Sequence, residues 1–258
     1  MDLTFATIEA ALASYIWPFA RISAMFMTMV VIGSQNVPTR IRLVLSLVVT
    51  MAVAPVLPPM PPVALFSFEA VLVLGQQILI GTAVGLFTQF ILHTFVMAGH
   101  FIGMQTSLGF ANVVDPGNGQ SVPVIGQFFL MLATLIFLVI DGHLILIRML
   151  ADSFHTIPVG RSGFDPGSWK VLADWFGWVF AAALAMSISE LVALLVINIA
   201  FGIMTRAAPQ LNIFTIGFPV TMMSGLLVIW LTLTDFNHHF ELQWERGVDA
   251  LCNLLQVC

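Results

Sequence analysis

Residues 103–123 read GMQTSLGFANVVDPGNGQSVP. Gly103, Gly109, Gly117 and Gly119 punctuate the stretch, which holds no Lys or Arg and lies between long apolar runs at 76–101 and 124–140. Glycine costs about 1 kcal/mol against alanine in a helix interior, so neither run can simply continue through it. Asp115-Pro116-Gly117-Asn118-Gly119 supplies turn chemistry, because proline fixes φ while glycine and asparagine accept φ > 0. Ser121 suits the cap of a following helix, and Pro123 suits its first turn. These features predict an irregular loop of roughly 20 residues, a length that is uncommon unless the segment is functional or disordered. Phe110, Val113, Val114 and the low charge argue against disorder. Irregular backbone beside lipid-type helices is tolerated in water, packed in protein, or lining a water-filled cavity. The residues fit a pore-lining or pore-blocking loop, and they fit an ordinary external loop equally well.

The flanks set the class. Of 258 residues, 59% are hydrophobic and 8% charged, where ordinary globular domains carry about 25% charged residues. Most apolar runs approach or exceed the roughly 20 residues that cross a bilayer. The expectation is an all-α integral membrane-type protein with about six long, partly kinked hydrophobic helices and a C-terminal amphipathic helix. The net charge of −5 comes from few groups, and no basic patch supports nucleic-acid binding. The N-terminal residues carry Asp2 and Glu9 without an early Lys or Arg, unlike a secretory signal peptide. Cys252 and Cys258 suggest neither a disulfide framework nor a zinc site.

In chain order, the first run covers 8–32 and is interrupted by Pro18, which should kink it. Arg21 lies inside that run and is expected to face protein or water rather than lipid. Arg40 and Arg42 open the second run, 41–56, and LPPMPP at 57–62 ends it as an extended connector. The third run, 65–101, would be about 54 Å long as a straight helix, well beyond a hydrocarbon core of about 30 Å. Its glycines at 81 and 85, and at 99 and 103, have the spacing of close helix packing. The fourth run covers 123–150 and contains Asp141-Gly142-His143. The fifth, 171–204, holds Glu190 and Asn198 on one face, and the sixth covers 213–233. From Phe236 to Leu255 apolar residues recur every three or four positions, as in an amphipathic helix docked on a partner or a membrane surface. Charge does not fix the topology: Arg40, Arg42 and Arg206 fall on one side, and Arg148, Arg161, Lys170 and Arg246 on the other.

Catalytic patterns are missing. The chain contains no GxSxG elbow, no HExxH and no phosphate-cradling glycine loop. Asp141 and His143 point to different faces of a helix, and His93 with His100 are too few for a metal site. No cofactor and no metal is expected. Glu190 is a carboxylate deep in a run, where pairing with an arginine or buried hydrogen bonds at a subunit contact is expected. A small-solute transporter using Arg21 and Glu190 is the alternative. It lacks the symmetric pair of interrupted helices common in that class.

Three blocks, in order, resemble the FliR family of flagellar type III export gate proteins: QNVPTRIRLVLSLVVTMAVAP within 32–55, GFANVVDPGNGQSVPVIGQF with DGHLILIRMLADSFHTIPVG across 109–160, and TRAAPQLNIFTIGFPVT at 205–221. The resemblance covers essentially the whole chain. It implies a single export-gate domain over 1–258, with a central plug loop at 103–123 and the amphipathic helix at 235–258. It implies assembly with the two other small hydrophobic gate subunits, of the FliP and FliQ families, and with FlhB. The setting would be the bacterial inner membrane at the centre of the flagellar basal body. There the gate would be in contact with lipid, and unfolded flagellar substrates would pass through it. It implies no enzymatic activity. Carried onto this sequence, the plug falls on Met104, Gln105, Gly109, Phe110, Asp115, Pro116, Gly117, Asn118, Gly119 and Ser121. Arg21, Glu190, Asn198 and Arg206 are the expected buried polar or interface residues.

Overall fold

The computed structural model describes residues 5–34, 37–61, 63, 67–110, 112–114, 121–160, 166–208 and 216–258. Eight α-helices hold most of them: α1 (Phe5–Thr28), α2 (Thr39–Val53), α3 (Phe68–Gln105), α4 (Val124–Val139), α5 (Gly142–Thr156), α6 (Pro166–Ala207), α7 (Phe218–Thr232) and α8 (Phe236–Leu255). The all-α, membrane-type class read from composition is the observed one. Among the described residues, three helices are long and apolar enough to cross a membrane, or up to five spans if each bent pair counts as one. α3 and α6, at 38 and 42 residues, are about 57 and 63 Å long at 1.5 Å per residue.

The expected fourth run is two helices. α4 and α5 are bent by 64° at Asp141, whose φ of 55° is left-handed. Aspartate tolerates that conformation better than most residues, and here it precedes the first turn of α5. α7 and α8 are also bent, by 62°, but with a right-handed Leu233 after α7 instead of a left-handed residue. α1, by contrast, runs through Pro18 as one helix.

The chain forms two compact units. The first comprises 1–90, 138–175 and 246–258. Its core packs Ala13 and Trp17 of α1 against Ala70 and Val73 of α3, Phe154 of α5 and Val159. Gly81 and Gly85 let α3 lie directly on α1: a Cβ at 81 would sit 2.9 Å from Ala24 Cβ, and one at 85 would sit 2.7 Å from Met25 O. Polar bonds pin the same seam, with Gln89 Nε2 donating to Thr28 O at 2.6 Å. In α2 the buried residues are Arg42, Ser46 and Thr50, while Leu43, Val44, Leu47, Val48 and Met51 are exposed. Soluble helices have the opposite arrangement. The buried hydroxyls are satisfied along their own helix, Ser46 Oγ donating to Arg42 O and Thr50 Oγ1 to Ser46 O.

The second unit comprises 91–137 and 176–245. Aromatic rings fill it: Phe95 lies 5.1 Å from Phe236 and 5.6 Å from Phe240, and Phe129 lies 5.4 Å from Phe236. Phe137 meets Trp244 at 5.4 Å. Gly99 of α3 abuts Gly126 of α4, where a Cβ would fall 2.8 Å from the Gly126 Cα.

The amphipathic tail departs from expectation. Phe236, Phe240, Trp244, Leu251 and Leu255 are all buried within the chain itself, so the stripe is spent internally rather than offered to a partner or a membrane. Its last turn ends on Gln256, with φ of 55°, and Val257 N donates back to Cys252 O at 3.1 Å. That reversal brings the Cα atoms of Cys252 and Cys258 to 5.6 Å, and the two cysteines are disulfide-paired. Their six-residue separation gave no sign of this.

Candidate functional site

α3 ends at Gln105, and the segment after it has more order than a free loop. A 3-10 turn covers Ser107–Phe110, and β1 (Asn112–Val114) pairs antiparallel with β2 (Ser121–Pro123). Val113 stands opposite Val122, and Val114 opposite Ser121. The β-branched valines suit that geometry. Ser121 is therefore a strand residue rather than the cap of α4, which starts at Val124. Asp115, Pro116, Gly117, Asn118 and Gly119 lie outside the described residues.

The root of the segment is tightly built. Thr106 is buried; its backbone N–H and its Oγ1 both donate to Gly103 O, at 3.3 and 3.1 Å. Gly109 N then donates to Thr106 O at 3.1 Å. A side chain at 109 would collide with the returning backbone, its Cβ 2.6 Å from Gly103 O, so glycine is required there. Two helices close on this root. Asn198 Nδ2 of α6 donates to Gln105 O at 3.0 Å and stands 3.4 Å from Gln105 Oε1. Gly225 of α7 faces Thr106, where a Cβ would run into the threonine methyl and lie 3.1 Å from its Cβ. Met104, next to these anchors, is 70% exposed. Phe110 ends the 3-10 turn.

The other polar residues singled out from sequence go separate ways. Arg21 is fully buried and fans its donors across three elements: Nε to Gln77 Oε1 at 2.8 Å, Nη1 to Ser153 Oγ at 2.9 Å and Nη2 to Ile157 O at 3.0 Å. Its guanidinium also covers the Phe154 ring at 3.9 Å. Glu190 is buried on α6 and accepts from the adjacent Ser189 Oγ at 3.0 Å. No lysine or arginine among the described residues pairs with it. Asn198 is half-buried, turned to Gln105. Arg206 is exposed rather than buried, in the last turn of α6, where a cation complements the helix dipole.

Sequence reading missed Gln77, Ser153, Thr106 and Gly225. Gln77 carried a usable signal as an amide inside an apolar run. Gly225 carried only a faint one, since glycine is common in membrane helices.

Long apolar helices, with the segment after α3 anchored to α6 and α7, define an all-α protein of the membrane type. Residues 12–247 match the family described as "Bacterial export proteins, family 1", and the chain belongs to that family. It is 40% identical over 212 residues to the flagellar biosynthetic protein FliR of Escherichia coli K12, covering 82% of this chain and 81% of that one. Against FliR of Pectobacterium carotovorum the identity is 36% over 243 residues, 94% and 93% of the two chains. Against FliR of Bacillus subtilis it is 29% over 247 residues, 95% of each.

Proposed function

We propose that this chain is a membrane subunit of the flagellar type III protein export apparatus, and that residues 103–123 plug the channel through which unfolded flagellar proteins leave. Membership of the bacterial export family, with flagellar relatives matched over nearly their whole length, supports the first part and leaves the small-solute transporter without support. For the second part, one observation carries the reading. The segment between α3 and α4 is fastened at its root to α6 and α7, as a plug must be if it is to return to one place. The partners in this reading are the FliP- and FliQ-family subunits and FlhB, assembled in the inner membrane at the centre of the basal body. A plug must yield to an extended polypeptide of any sequence. Glycines permit that movement at low steric cost, and the near absence of charge makes the segment indifferent to what passes. The energy for transport comes from elsewhere in the machine.

Replacing residues 111–120 by a short Gly-Ser linker keeps the root and removes β1 together with the residues between the two strands. The complex should still assemble, because the flanking helices supply the packing, and it should conduct small ions in planar bilayers. A deleted complex that assembles and stays as tight as the parent would mean that the seal lies elsewhere.

A further inference from the structure

Gln105 is the last residue of α3, and the terminal carbonyls of a helix have no partner within it. Asn198, 93 positions away on α6, supplies one for Gln105. The next residue, Thr106, cannot turn its methyl aside, because its hydroxyl is committed to Gly103 O. That methyl enters the space left by Gly225 on α7. Two consecutive residues are thus held from two different helices, one by a hydrogen bond and one by shape.

We propose that Asn198 and Gly225 are positioning residues that set the closed position of residues 103–109: Asn198 is a latch on Gln105, and Gly225 is a notch that admits Thr106. The inference rests on the plug reading and deepens it, since it says what holds the plug shut. A neutral hydrogen bond suits the task. An exposed carbonyl in apolar surroundings is costly enough to favour the latched state. Yet one neutral bond has a net worth of only about 1 kcal/mol, so passing substrate can break it. An ion pair there would be far harder to open. The notch adds register, because only one placement of Thr106 puts its methyl opposite a residue without a side chain.

The test compares assembled export complexes in planar bilayers, with the 111–120 deletion as reference for a fully open channel. Asn198→Ala should raise the open fraction about fivefold, the factor that corresponds to one lost neutral hydrogen bond, while co-purification of the other gate subunits is unchanged. Gly225→Ala should leak as well, because its new methyl displaces that of Thr106. Adding Thr106→Ser to Gly225→Ala should tighten the channel again, since serine keeps the hydroxyl and lacks the methyl. If Gly225→Ala fails to accumulate, recovery in the double variant supports the notch, and lack of recovery overturns it. If the deletion leaks while Asn198→Ala and Gly225→Ala both stay tight, the latch and notch are wrong and the plug stands. If the deletion itself is tight, the plug reading fails and takes this inference with it.

Discussion

A guanidinium in the middle of an apolar helix has to find acceptors or reach water. Arg21 finds three, on α3, on α5 and in the turn after α5, and lays its flat face on Phe154. Its burial could be read from sequence, because a charge in such a run is too costly to face lipid. Its partners could not, since Ser153 lies 132 positions away and looks like any helix serine. Arg21→Ala would strand the Gln77 and Ile157 oxygens, and each buried polar group left unpaired costs about 1–3 kcal/mol. The variant should therefore show a clearly lower thermal midpoint in detergent. Arg21→Lys should recover little, because a single ammonium on a flexible stem cannot reproduce a planar fork reaching three elements. Equal midpoints for Arg21→Lys and the parent would show that charge alone suffices. Glu190 poses the converse problem: it is a buried carboxylate whose donor among the described residues is the neighbouring Ser189 hydroxyl. A donor from another subunit would complete it. Glu190→Leu should then reduce co-purification of the other gate subunits, and Glu190→Gln should reduce it less. Full assembly of both variants with loss of export would instead point to a role in transport.

At the scale of elements, long periodic runs were legible and breaks were not. α3 and α6 follow from uninterrupted apolar sequence, and their ends fall within a few residues of expectation. The bend between α4 and α5 depends on a left-handed Asp141, which a helical pattern continuing on both sides conceals. The hairpin of β1 and β2 was missed because three-residue strands are shorter than any pattern that alternation can reveal. α8 was recognised as amphipathic, but periodicity identifies a face and not what covers it. The structure spends that face on the chain's own core, with Phe240 fully buried against Phe95. Phe→Ala at such a site typically costs about 3–5 kcal/mol. Phe240→Ala should thus deplete the folded chain from membranes even before partners are added. A chain ending at Thr234 should fare no better. Normal accumulation of either, with only partner recruitment lost, would restore the view of α8 as a docking helix.

For the molecule as a whole, the exterior is the informative surface. Val48 and Met51 of α2, and Ile188, Val192 and Val196 of α6, are all more than half exposed, whereas Arg21, Ser46, Gln77 and Ser187 are fully buried. Polar atoms turned inward and apolar atoms turned outward are stable only where the surroundings are themselves apolar, whether lipid or other hydrophobic subunits. Composition announced this environment, but which residues face it depends on packing that no single run encodes. An aspartate near the centre of a membrane helix costs about 2.5–3.5 kcal/mol on insertion scales. Val48→Asp and Val196→Asp should therefore lower the amount of chain recovered in the membrane fraction by roughly an order of magnitude or more. In a water-soluble protein the same exposed substitutions would be close to neutral, within about 0.5 kcal/mol. Quantitative blotting of membrane and soluble fractions separates the two cases. Unchanged recovery of both variants would mean that these faces of α2 and α6 meet water. A loss for Val196→Asp that is reversed by co-expressing the other gate subunits would assign the α6 face to protein rather than lipid.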